Sequence, residues 1–153
     1  MKTLAALTAH LILLAPMPVN ANAQSRERVQ QVFRTYEALN ADFVHSVASG
    51  TGDSGKSYSA LRRETERFAE GPYSKALAEA KKIICSSGDR ELLASLLRVA
   101  EATLNSANEE PTVVLNQVAY CKPNLLRELA ATLPPNERKS LASRSPPLKA
   151  LLK

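Results

Sequence analysis

The chain has 153 residues, 44% hydrophobic and 23% charged, with 20 Lys+Arg against 15 Asp+Glu and a formal net charge of +5. That balance excludes a disordered or fibrous chain and supplies enough apolar material for one core. With no tryptophan and aromatics at only 5%, the core has to be aliphatic, which suits helices, and no aromatics are interleaved with the basic residues to stack nucleic-acid bases.

Residues 1–23 read as a signal peptide. Lys2 gives a positive start, an apolar run extends from Leu4 to Ala15, and Ala21-Asn22-Ala23 fits the small-residue cleavage rule. The apolar run is shorter than the roughly 20 residues of a membrane span, so no membrane insertion is expected. Gln24 follows, not a cysteine that would carry a lipid. The reading is a protein exported to the periplasm, an oxidising compartment where two cysteines are more often bonded than reactive. Residues 24–153 then form a single helical domain.

Its first element is a long helix over 25–48, with Val29, Val32, Phe33, Tyr36, Leu39 and Phe43 along one stripe. A loop rich in Gly and Ser follows. Tyr58, Leu61, Thr65 and Phe68 mark a shorter helix, for which Gly71-Pro72 gives a stop signal. Ser74 caps the next helix, carrying Leu77, Ala80, Ile83 and Ile84 on one side and ending at Cys85 and Ser86-Ser87-Gly88. Asp89 caps the strongest periodic pattern in the chain, Leu93, Leu96, Leu97, Ala100 and Leu104. The pattern fades in Asn105-Ser106-Ala107-Asn108, and Pro111 suits the first turn of another helix with Val114, Leu115, Val118 and Cys121 inward. The β-branched residues there also allow a strand. Pro123-Asn124 opens a helix with Leu125, Leu126, Leu129 and Leu133, ended by Pro134-Pro135, and a weak last helix over 135–143 leads to a basic end that frays from about residue 144.

Helices joined by short connections alternate in direction, so the one ending at Cys85 and the one ending at Cys121 run parallel and finish at the same pole. A Cys85–Cys121 disulfide is therefore expected. The fold class is all-α, a compact multi-helix bundle or short helical stack with that one cross-link.

Charge is unevenly placed. From Gln24 to Cys121 there are 12 Lys+Arg against 13 Asp+Glu; from Lys122 onward, 7 against 2. The segment is read first as a solvated tail, and otherwise as a basic patch facing an acidic partner or an anionic envelope surface.

Gly50-Thr51-Gly52-Asp53-Ser54-Gly55-Lys56-Ser57 satisfies the phosphate-loop pattern at every required position. That pattern has meaning between a buried strand and a helix. Here a helical stripe precedes it, and no later run supplies a metal-binding aspartate. His45 has no ligand-spaced companions for a metal, and Glu64, Glu66 and Glu70 lie among Arg62, Arg63 and Arg67 as an ion-pair face. No catalytic, metal or cofactor residues are assigned, and the chain is read as a binding protein, not an enzyme. Its format of signal peptide, helices and few cysteines resembles the small periplasmic proteins that neutralise secreted cell-wall amidases. The expectation is an inhibitor or immunity protein occluding a cell-wall-degrading effector such as a peptidoglycan amidase, with Asp53, Ser54 and Lys56 in the inserted segment. The other reading is a periplasmic stress or chaperone-like protein that binds unfolded clients; a homodimer is compatible with either.

Overall fold

Residues 21–103 and 108–152 are described by a computed structural model, and they fold as helices joined by short turns. Most of the expected signal peptide and Leu104 lie outside the described residues. The order is α1 (Ala21–Ser49), α2 (Tyr58–Phe68), a wide π turn (Ala69–Tyr73), α3 (Ser74–Ser87), α4 (Arg90–Ala102), α5 (Glu110–Cys121), α6 (Pro123–Ala130), α7 (Pro135–Ser143) and α8 (Pro146–Leu151). The only extended pairing among the described residues is an isolated bridge between Thr51 and Ser57.

α4 is the hub. Asp89 caps it, its carboxylate accepting from the Leu92 N–H at 2.9 Å. Leu93, Leu96, Leu97 and Ala100 are buried as their spacing predicts, and so are Leu92, Ser95 and Val99, which lie off that stripe. A helix apolar over so much of its circumference has to be surrounded. It is: α1, α3, α5, α6 and α7 all pack on it.

Gly71-Pro72 does not end a helix. Proline lacks the N–H and clashes with the carbonyl one α-turn back, but the π turn widens the spiral there, and the Ser74 N–H bonds back to the Ala69 carbonyl. α2 therefore runs on into α3 through a bend, so Ser74 caps nothing. Its hydroxyl donates instead to Glu110 at 2.5 Å, tying α3 to the start of α5. The extra residue swings Tyr73 fully inward, stacked on Tyr36 at 3.8 Å between centroids and edge-on to Phe33 at 5.9 Å.

α3 stops at Gly88, whose φ of 71° is the left-handed conformation that a glycine takes without strain. The segment read as helix or strand is α5. Packing decides against its β propensity, because Val114, Leu115 and Val118 are buried against α3 and α4 only at helical spacing. Cys85 and Cys121 meet at one pole, with sulfurs 2.02 Å and Cα atoms 5.5 Å apart, within disulfide reach. Cys121 itself lies at the surface, not on the inner face of α5.

The C-terminal segment corrects the expectation of fraying. Ser145 caps α8, accepting from the Leu148 N–H, and donates to Asn116, while Arg144 donates to Thr112 at 2.9 Å. Leu148 and Leu152, one turn apart, are buried in the common core. Residues 144–152 are a docked element.

Candidate functional site

Three pieces converge early in the chain: the last turns of α1, the start of α2, and the loop 50–57 between them. The loop folds back on the helices. Gly52 N–H donates to the Lys56 carbonyl and Gly55 N–H to the Gly52 carbonyl, both at 2.9 Å. Asp42 of α1 accepts from the Ser54 hydroxyl at 2.5 Å and the Ser54 N–H at 3.2 Å. These bonds, the hydroxyl first, then the backbone N–H groups of Ser54 and Asp53 and the charge of Lys56, hold the Asp42 carboxyl below its ordinary pKa against a smaller opposing effect of burial. Gly52 lies so close to that carboxylate and to Leu61 that a Cβ would overlap both, so no other residue fits without displacing them.

Each residue chosen from the sequence for the inserted segment is thus placed. Ser54 is tied to Asp42. Lys56 donates to Glu64 of α2 at 2.6 Å. Asp53 keeps 78% of its side chain exposed, with His45 Nδ1 at 3.4 Å from its carboxylate. The structure brings the three together but pins the loop to α1 and α2; it does not project freely. The same geometry explains the phosphate-loop pattern. A helix precedes it, the Ser54 and Asp53 amides face the Asp42 carboxylate, those of Gly52 and Gly55 bond to carbonyls within the loop, and the lysine is engaged by Glu64. His45 stands at the rim, and neither cysteine is free to act as a nucleophile. Among the described residues, no group of three or more His, Cys, Asp or Glu side chains is placed to hold a metal ion.

Beside the loop runs a groove of about 650 Å³ between α1, α2, the π turn and the start of α5. Tyr36, Phe43 and Tyr58 give it aromatic surface, with the Phe43 and Tyr58 rings 5.5 Å apart. The Tyr36 hydroxyl accepts from Asn108 at 3.1 Å. Glu66, Glu70 and Glu110 line the groove against one cation, Arg62, which is itself paired with Glu66 at 2.8 Å. Thr65, also in the lining, has a buried hydroxyl with no hydrogen-bond partner among the described residues. Behind the groove, burial raises the pKa of Tyr73, whose hydroxyl likewise has no hydrogen-bond partner among the described residues. An acidic channel with aromatic surface suits a cationic or amphipathic side chain from outside.

On the last turns of α1, Val44 is 51% and Val47 63% exposed, and Tyr58 in the groove lining is 39% exposed. These residues were missed in the sequence, although a signal was present: Val47 continues the α1 stripe one turn beyond Phe43, yet it is exposed. Asp42 was missed as well, because its role depends on a loop twelve residues away folding back.

Comparison of the chain with protein families, with curated proteins and with solved structures finds no match. What the fold and this site define is a helical scaffold, cross-linked at one pole, that presents a pinned loop, an acidic aromatic groove and exposed valines on one face.

Proposed function

We propose that the protein acts in the periplasm by binding another protein, as an inhibitor or immunity protein that occludes a cell-wall-degrading enzyme such as a peptidoglycan amidase. The observation that carries this reading is the exposure of Val44 and Val47 on the last turns of α1 and of Tyr58 at the start of α2, the two ends joined by a loop already fixed in place. An apolar centre rimmed by polar groups is the anatomy of a protein interface. A loop pinned before docking loses less entropy on binding than a slack one, which favours tight occlusion. The signal-peptide pattern and the joined cysteines fit a protein that works outside the cytoplasm. Asp53 is the loop residue best placed to reach a partner, since Ser54 and Lys56 are committed within the chain.

The test is release of peptides from purified sacculi by a panel of peptidoglycan amidases, with the protein added in increasing amounts. Stoichiometric inhibition of at least one enzyme, relieved by Val47→Asp, is expected. No inhibition of any, together with no amidase complex after cross-linking in the periplasm, would overturn the proposal.

The chaperone-like reading asks for apolar faces to open in acid or on envelope damage, and for the acid trigger one seam carries the opposite sign. Glu101 of α4 and Glu137 of α7 work the other way. Burial first, then the hydrogen bond and charge of Glu137, raise the pKa of Glu101, so the contact between these helices is favoured when a proton is shared. Acid tightens that seam.

A further inference from the structure

We propose that the α7–α8 end of the molecule is a docking surface for an anionic phospholipid bilayer. Arg138, Lys139 and Lys149 line a depression of about 450 Å³ whose other lining includes Ala142 and Leu152 and, among the described residues, no carboxylate. The two acidic residues of this segment are turned elsewhere. Glu128 is held by both guanidinium nitrogens of Arg90 at 2.9 Å, and Glu137 faces Glu101. None of the three cations has an ion-pair partner among the described residues.

The opposite flank of α8 is apolar. Ala119, Tyr120, Pro147, Ala150 and Leu151 line a shallow depression of about 300 Å³ without one charged group among the described residues. Tyr120 there is 78% exposed, the most exposed of the large hydrophobic side chains described. The helical repeat explains the division: Leu148 points into the core, Lys149 and Leu152 border one side, and Pro147 and Leu151 border the other.

Cations on one flank of a short helix and an aromatic-aliphatic patch on the other are the two components of peripheral membrane attachment. Unpaired Lys and Arg attract anionic headgroups, and a ring with a polar tip settles at the headgroup boundary. The cations sit on an open surface with no buried donor, so the site is not shaped around a single phosphate group. The apolar flank offers no row of hydrogen-bonding groups to a peptide. A laterally extended, negatively charged and partly apolar surface meets both flanks at once.

Co-sedimentation with phosphatidylglycerol/phosphatidylcholine vesicles tests this, using pure phosphatidylcholine vesicles and inorganic phosphate as the other arms. Binding is expected to anionic vesicles only, to weaken as salt rises, and to be unaffected by phosphate at matched ionic strength. Each basic residue near such a surface changes partitioning about fivefold, so K139Q/K149Q is expected to bind roughly 25-fold more weakly with an unchanged helical signal. Tyr120→Ser is expected to weaken binding without altering its salt dependence. Equal binding to neutral vesicles, no binding to anionic vesicles at low salt, undiminished binding by K139Q/K149Q, or displacement by phosphate would each overturn the proposal. The amidase assay reads a separate set of residues, so the two proposals fail separately.

Discussion

Replacing both cysteines, as C85S/C121S, is expected to lower stability by a calculable amount. The cross-link closes a segment with a sequence separation of 36, and that segment contains all of α4, the helix on which most of the others pack. In the chain-entropy treatment, closing such a loop in the unfolded ensemble stabilises the fold by about 3–4 kcal/mol. For a chain of this size each kcal/mol moves the midpoint by about 2–4 °C, giving a drop of roughly 6–16 °C. Cys121 lies at the surface and Cys85 is half-buried, so serine leaves no core cavity to confuse the reading. The assay is thermal unfolding followed by circular dichroism on three samples: the oxidised protein, the same protein with reductant, and C85S/C121S. The last two should coincide, well below the first. A variant melting within about 2 °C of the oxidised protein would refute the reasoning, because the pole would then be held by packing alone.

Leu115, fully buried where α5 meets α3 and α4, should cost about 2–5 kcal/mol when replaced by alanine, read as a shifted denaturant midpoint. The pinned loop should loosen in acid. Asp42 titrates below its ordinary value, so its contribution is present above the unfolded carboxyl range and lost as pH falls through the folded pKa; faster amide exchange at Ser54 there, and in Asp42→Asn at neutral pH, checks it. Glu101 has the opposite sign. Its raised pKa makes its contribution fullest below the unfolded carboxyl range and lost as pH rises through the folded pKa, so Glu101→Gln should flatten the fall in melting temperature seen above that range.

Much of this fold is legible in the sequence, where local chemistry and tertiary contact agree. Asp89 as a cap, Gly88 as a stop and the Leu93–Leu96–Leu97–Ala100 stripe needed nothing beyond their own neighbourhood. The meeting of Cys85 and Cys121 followed from direction alone. Reading failed where a residue's usual meaning was overridden at a distance. Gly71-Pro72 carries a stop signal, yet Tyr36 and Phe33 offer Tyr73 a place in the core that a π turn can reach. For the last segment the signals were present: Ser145 before Pro146, then Leu148 and Leu152 a turn apart. Basic charge and proline content outweighed them only because the groove between α5 and α7 that receives those leucines cannot be seen in one dimension. At the candidate site the loop was legible as a loop, but the Asp42 carboxylate inside it was not, and neither was the exposure of Val44 and Val47.

The most direct measurement places a photo-activated cross-linking amino acid at Val47 of the full chain expressed in its own cells, with the exposed Ala131 at the end of α6 as the control position. The proposed function predicts that Val47 captures a peptidoglycan amidase identified by mass spectrometry and that Ala131 does not. Capture of the same proteins from both positions, or of no cell-wall enzyme from Val47, would contradict it.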